Sequence, residues 1–400
     1  MQGFFRPYCI PMMKRNTLFI PCSPGAEPFL AQEIRSLGLE AEEVTAAGVS
    51  LKASLLDEMK LNLHLRTGQR VLRLLSSFRA TDPMQLYKGV SSIPWEQYLD
   101  EKGYFSITST VDTPSIRDTR FAGLKCKDAI ADRMTAQCGR RPDSGPERDR
   151  SVVHLYWKAE DCRIFLDTSG EPLSKREYRK IPMAAPMQES LAAAVILATG
   201  WSGDAGFVNP MCGSGTLAVE AALIALNRPP GLLRSNFGFM HFKDFDPAAW
   251  QRLREEAKKA VRKEPGCRVI ANDINSKAVE AAQKNAETAG VAHLIEFSVC
   301  DFAETPLPEE PSVIVINPEY GERLGQIAEL RGVYRRIEDF FKQRCSGHTG
   351  FIFTGNLQMA KEVGLRTSRR TPFFHGGLDC RLLRYELYAG SRKQQGSVIE

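Results

Sequence analysis

No two of the ten cysteines are spaced Cys-x-x-Cys, so the thiolate clusters of zinc and iron–sulfur sites are absent from this sequence. Scattered thiols in a chain of 400 residues fit the reducing cytosol better than a disulfide framework. Long apolar stretches are missing too. The longest, Leu191 to Trp201, has eleven residues and is too short to cross a bilayer. There is no internal repeat, no low-complexity tract and no large excess of one charge. Lys plus Arg number 53 against 48 Asp plus Glu, which permits a polyanionic partner without requiring one. With 43% hydrophobic and 25% charged residues, the disordered, collagenous and fibrous classes are excluded, and the length suggests two or three domains. The start lacks both the unbroken apolar segment and the cleavage site of a signal peptide. Met12 or Met13 reads as an alternative start, which makes 1–16 a flexible extension; 391–400 reads as a flexible tail. The chain is expected to be soluble and cytoplasmic, without a metal.

The character changes near residue 170. Before it, strands are expected at Thr17–Ile20, Arg70–Ser76, Tyr104–Val111 and Val152–Lys158. Helices are expected at Glu27–Leu37, closed by Gly38, at 54–67 and at Lys125–Gln137. This mixture without strict alternation is an α+β pattern. Residues 139–151, polar and rich in breakers, read as a surface loop. After Gly170, apolar β-rich runs alternate with long helical patterns, the signature of a doubly wound, mostly parallel sheet.

In that second half, Phe207-Val208-Asn209-Pro210-Met211-Cys212-Gly213-Ser214-Gly215-Thr216 takes a strand into a glycine turn and then a helix. Glycines there let backbone approach a ligand, and the helix start offers unpaired N–H groups. The lysine of a nucleoside-triphosphate loop is missing. A second strand, Arg268 to Asp273, ends in a carboxylate suited to ribose hydroxyls. A third, Leu294 to Val299, delivers Asp301 and Phe302, an acceptor for an adenine amino group with a ring beside it. Each acid alone is more often a solvated loop residue; three successive strand ends together favour an adenosine site.

The fourth strand, Ser312–Ile316, runs into Asn317-Pro318-Glu319-Tyr320. Methylating an exocyclic amino group on a base is difficult because the nitrogen lone pair is delocalised into the ring. An acceptor on each N–H, the Asn317 side-chain oxygen and the Pro318 carbonyl, favours the pyramidal transition state. Proline fixes the turn, and Tyr320 offers an extruded base a stacking face. The plain alternative is a type I turn with Asn first and Pro second.

These residues resemble class I S-adenosylmethionine-dependent RNA methyltransferases that carry an N-terminal THUMP domain, closest to the bacterial 23S rRNA guanine-N2 enzymes in a single-methyltransferase form. Arg117-Asp-Thr-Arg-Phe-Ala-Gly-Leu-Lys, Leu166-Asp-Thr-Ser-Gly-Glu-Pro-Leu, Arg228-Pro-Pro-Gly-Leu and Gly377-Leu-Asp-Cys belong to the resemblance. It implies a ferredoxin-like segment at 17–55, a THUMP domain at 47–168, and a Rossmann-like methyltransferase domain with a seven-stranded, mostly parallel sheet at 170–390. It implies S-adenosylmethionine bound by Pro186, Gln188, Glu189, Ser190, Asn209, Pro210, Met211, Cys212, Gly213, Gly215, Thr216, Asp273, Ile274, Asp301 and Phe302. The target amine would be held by Asn317, Pro318 and Tyr320. Relatives usually have Asp where this chain has Asn209, and a second proline where it has Glu319. The implied partner is RNA, above all 23S rRNA, and the implied state a monomer. The alternatives are tRNA guanine-N2 or adenine-N6 methylation on the same fold, and a catalytically silent RNA-binding assembly factor.

For the RNA, residues 117–141 hold seven basic and three acidic side chains, with Arg117, Arg120, Lys125 and Lys127 as candidate phosphate contacts. Arg176, Arg179 and Lys180 form a second cluster between the halves. Reversing Lys125 and Lys127 to Glu is expected to weaken RNA binding, most at low salt. Equal affinity of variant and wild type across a salt series would refute that assignment.

Overall fold

A computed structural model describes residues 15–181, 183, 186–319 and 327–388. The first half runs β1 (Asn16–Pro21), α1 (Glu27–Ser36), β2 (Ala41–Thr45), β3 (Gly48–Ala53), α2 (Leu55–His64), β4 (Leu72–Arg79), α3 (Pro83–Ser91), β5 (Tyr104–Asp112), α4 (Thr119–Cys138), β6 (Asp143–Ser144), β7 (Ser151–Lys158) and β8 (Asp161–Asp167). The helices start where the sequence supplies a cap. Ser54 and Asp57 form a capping box for α2, and Asp82 and Asp118 accept from the first N–H groups of α3 and α4. Gly139, left-handed at φ +69°, stops α4. That helix begins six residues ahead of the expected Lys125, because Asp118 caps it and Ala122 already faces the core.

All eight strands join one mixed sheet in the order β2-β3-β1-β4-β8-β7-β5-β6. The expected loop at 139–151 contributes β6, which pairs in parallel with β5. Strand β2 had no periodic signal because its five residues are all exposed; backbone pairing to β3 holds it.

The second half runs α5 (Glu189–Ala198), β9 (Gly206–Pro210), α6 (Thr216–Ala225), α7 (Pro247–Lys259), β10 (Val269–Asp273), α8 (Ser276–Thr288), β11 (Ile295–Val299), β12 (Ser312–Ile316), α9 (Ile327–Gln343), β13 (Thr349–Thr354), β14 (Arg369–His375) and β15 (Leu378–Glu386). The sheet order is β11-β10-β9-β12-β13-β15-β14. Strands β9 to β13 are parallel, and β15 and β14 close the edge antiparallel to their neighbours. Phe207, Val208, Ile270, Ala271, Ile314 and Ile316 have no exposed surface, as a sheet covered on both faces requires. One core contains α5, α6 and α8 side chains; the other seats Tyr334, Ile337 and Phe341 of α9 against Ile314, Ile352 and Leu383.

The halves are stitched together by backbone and side chain. Phe239 N–H donates to Thr168 O at 2.9 Å, Arg73 reaches Asp244 at 2.5 Å, and Arg234 donates to the Ser169 carbonyl at 3.1 Å. Gly238 lies so close to the end of β8 that a Cβ would stand 2.2 Å from Asp167 O and 2.9 Å from Gly170 N. Gly238→Ala is expected to lower the unfolding free energy by about 1–3 kcal/mol, the usual cost of overpacking, in a urea titration. An unchanged midpoint would show that the seam yields there.

Candidate functional site

The rim at the carboxyl ends of β9 to β12 is built by sheet topology. From β9 the chain steps outward through β10 to β11, then returns to the other side of β9 with β12. Such a reversal opens a crevice beyond the strand ends, and here β9 and β12 flank it. The glycine turn therefore lies beside Asn317 and Pro318 on neighbouring strands. Asn209 ties the two ends together: its Nδ2 donates to Val315 O at 2.9 Å.

The turn itself is left-handed at Met211 (φ +58°), Gly213 (φ +54°) and Gly215 (φ +81°). The two glycines differ. A Cβ on Gly213 would meet nothing within 4 Å, whereas one on Gly215 would come 2.7 Å from Ala282 Cβ. Gly213 leaves open space for a ligand; Gly215 allows α6 to pack against α8. Pro210 and Cys212 are buried and Met211 is half-buried. Burial, with Asp273 adding to it, pushes the Cys212 thiol well above its ordinary range, so it is no nucleophile. Thr216 opens α6.

Asp273 accepts Gly213 N–H at 3.0 Å on one oxygen and Asn275 N–H at 3.0 Å on the other. Both bonds fix the carboxylate while leaving lone pairs over. Next to it Ile274 is 72% exposed, an apolar side chain standing in solvent at the crevice. At the third strand end Asp301 accepts from Ala303 N–H at 2.9 Å and from Arg336 Nη2 at 2.6 Å. Burial raises the Asp301 carboxyl, but these two donors hold it below its usual value. The Arg336 guanidinium also lies 4.9 Å from the centroid of the buried Phe302 ring. Sequence reading missed Arg336; an Arg335-Arg336 pair on an amphipathic helix carries no sign of which acid it meets.

In the segment that leads into α5, Pro186 is half-buried and Gln188, the residue before the helix, is exposed. Glu189 and Ser190 are 6% and 2% exposed. Burial raises the Glu189 carboxyl, opposed by Arg179 at 3.4 Å. Two buried polar atoms here have no protein partner among the described residues: Ser190 Oγ and Asn209 Oδ1. Buried polar groups are rarely left so. With open space at Gly213, they are candidate partners for a polar ligand. Asn317 is half-buried and Pro318 buried; Tyr320 lies outside the described residues.

The expected basic cluster at 176–180 is corrected in part. Arg176 is 1% exposed; it donates to the carbonyls of Leu173 and Arg66 and lies 3.5 Å from Glu220. No phosphate can reach it. Arg179 is turned inward, donating to Met187 O at 2.5 Å and Thr216 Oγ1 at 3.1 Å, so it braces the 186–190 wall against the start of α6. Lys180 is exposed. A further brace was missed: the fully buried Asn285 accepts Lys180 and Ile181 N–H at 2.9 and 3.1 Å and donates to Ser214 O at 3.1 Å. Its signal was a lone amide on the alanine-lined face of α8.

Arg117, just before α4, and Arg120 in its first turn are exposed, Arg120 pairing with Asp118 at 2.9 Å. Lys125 Nζ lies 5.6 Å from the Phe121 ring centroid, Lys127 is half-buried, and Phe121 and Leu124 are 43% and 52% exposed. Among the described residues no group of three His, Cys, Asp or Glu is placed to hold a metal, and no helix is long and apolar enough to cross a membrane.

Comparison with known proteins adds to this geometry. Residues 176–384 match the RMKL-like methyltransferase domain, residues 80–167 the THUMP domain, and residues 17–72 the RlmL ferredoxin-like domain. The ribosomal RNA large subunit methyltransferase K/L of Syntrophotalea carbinolica is 36% identical over 382 residues, 92% of this chain and 53% of that protein. The chain thus spans little more than half of that relative. A Synechocystis protein named as an RNA methyltransferase candidate, slr0064, is 34% identical over 92% of this chain and 96% of its own. A crystal structure of SMU.472, a methyltransferase candidate complexed with SAH, superposes with a TM-score of 0.85 at 28% identity, covering 95% of this chain and 100% of that one. Replacing Arg179 by Met is expected to weaken S-adenosylmethionine binding about tenfold in calorimetry, as loss of charged hydrogen bonds predicts. RNA affinity should stay within twofold; a matching loss of RNA affinity would return Arg179 to the phosphate contacts.

Proposed function

Because the chain belongs to the RMKL-like methyltransferase family, we propose that it transfers a methyl group from S-adenosylmethionine to the exocyclic N2 of a guanine in 23S rRNA. The observation that carries this reading is the adjacency of two strand ends. The glycine turn after β9 and the Asn317-Pro318 pair after β12 open on one crevice, joined by the bond from Asn209 to Val315 O. The cofactor supplies an electrophilic methyl on a positively charged sulfur.

The chain's residues hold and orient. Asp273 takes the ribose hydroxyls with its remaining lone pairs, and Asp301, kept ionised by Arg336, takes the adenine amino group. Exposed Ile274 and the Phe302 backbone flank the base. The unpartnered Ser190 Oγ and Asn209 Oδ1 serve the amino-acid end. Asn at 209 is compatible with activity: its amide donates to Val315 O through Nδ2 and keeps Oδ1 for the cofactor.

At the acceptor, the Asn317 side-chain oxygen and the Pro318 carbonyl each accept one N–H of the guanine amine. These bonds strengthen as the nitrogen becomes tetrahedral and positive, so they act on the transition state more than on the ground state. After transfer the nitrogen gives up one proton to solvent, and no residue of shifted basicity is needed beforehand. Exposed Arg117 and Arg120, with Lys125 and Phe121 of α4, would hold the RNA by phosphate contact and stacking. Asn317→Ala is expected to lower kcat by about a hundredfold or more, the scale of one lost transition-state hydrogen bond, with S-adenosylmethionine and RNA affinities unchanged. Retained turnover on a 23S rRNA transcript would refute the acceptor assignment, and product mapping to a nitrogen other than guanine N2 would refute the specificity.

A further inference from the structure

We propose that the β14–β15 hairpin is a second RNA-contact surface, in which Phe374 stacks on a base near the target while Arg370, on the same face of β14, holds a phosphate; this rests on the RNA methylation reading above. The resemblance includes Gly377-Leu378-Asp379-Cys380, to which no role has so far attached. The register places that stretch on the catalytic rim. Thr354, the end of β13, lies opposite Arg381 of β15, and His375 opposite Leu378. The turn, with Gly376 at φ +58° and Gly377 at φ +90°, therefore projects past the level at which β13 ends. Strand β14 is three strand positions from β12. That is about 14 Å at the usual strand spacing, or roughly four stacked nucleotides at 3.4 Å each.

Alternation puts Arg370, Pro372 and Phe374 on one face of β14 and Phe373 on the other. Phe373 is fully buried and packs on Phe29 and Phe353; Phe374 is 40% exposed. Each acid along this stretch is already engaged. Glu362 pairs with Arg331 and Arg335, Asp379 with Arg381, and Glu386 with Arg384. Among the described residues no carboxylate lies in ion-pair range of Arg366, Arg369 or Arg370. An exposed ring beside uncompensated guanidinium groups is the combination that binds unpaired nucleic acid. The platform is also rigid. Phe374 N–H donates to Pro24 O at 3.1 Å, and a Cβ on Gly25 would stand 2.2 Å from Pro372 O, so the strand is pinned to the N-terminal half.

Charges on an edge strand also discourage pairing with another sheet, and the test must separate that role from RNA binding. Affinity of the full chain for a 23S rRNA transcript should be measured across a salt series for wild type, Arg370→Gln and Phe374→Ala. Calorimetry with S-adenosylmethionine reports whether each variant keeps its fold. Arg370→Gln is expected to flatten the log–log salt slope by about 0.7–0.9, one phosphate contact's worth. Phe374→Ala is expected to weaken binding about tenfold at unchanged slope, the lower range for one stacked base. S-adenosylmethionine affinity should not move. Variants that bind RNA as wild type does, with the same slope, overturn this surface and leave the functional reading standing. Variants that instead change the oligomeric state assign the face to a second copy and overturn it equally. A wild type that neither binds nor methylates RNA overturns both.

Discussion

A carboxylate with no access to water sits on the helix that carries the glycine turn, and the arrangement of the two halves depends on neutralising it. Glu220 has no exposed surface. It accepts from Tyr178 Oη at 3.1 Å and faces Arg176 Nε at 3.5 Å. A buried charge is tolerated only when countercharges and donors are brought to it. The segment supplying them, 171–181, is therefore drawn down between the halves. Arg176 in turn is anchored on the Arg66 carbonyl, and Arg66 reaches Arg228 O at 3.0 Å. Burial lowers the Arg66 guanidinium, opposed by Glu220 and Glu33. Once the segment is in place, Arg179 arrives at Met187 and Thr216, where the 186–190 segment meets the start of α6. One desolvated acid thus determines both the seam and one side of the crevice.

Much of this was legible in the sequence, for definite reasons. The parallel strands are short and apolar, and each stops at a chemically distinctive residue. Strand β12 was read at its observed bounds, and β10 and β11 within one residue. Asn209, Asp273, Asp301 and Asn317 stand on one rim because topology alone puts consecutive parallel strand ends there. What could not be read depends on the third dimension. A run of Lys, Arg and Tyr looks solvated until a buried Glu, 42 residues beyond Tyr178, claims part of it. Gly213 and Gly215 look alike in a row of letters; only the approach of Ala282 separates their tasks. Likewise β2 has no buried side chain to announce it, and Asn285 is one polar letter within an alanine-rich helix.

Asn209 sits where two neighbouring strands of the site end. Its Nδ2 donates to Val315 O at 2.9 Å, linking the strand that bears the glycine turn to the strand that bears Asn317. An ionised carboxylate has no N–H with which to make that bond.

The density of bonding across the seam has a consequence for motion. Arg73, Arg234, Phe239 and Gly238 close the halves along one line, which leaves little room for a hinge. Enzymes that shut like jaws spend part of their binding free energy on closure. On the methylation reading proposed above, a protein set in advance leaves the distortion to the RNA, which yields a base at a cost of about a few kcal/mol. Strands that are already unpaired or mismatched deform most readily, and the stiffness of the protein becomes a filter on the shape of what it accepts.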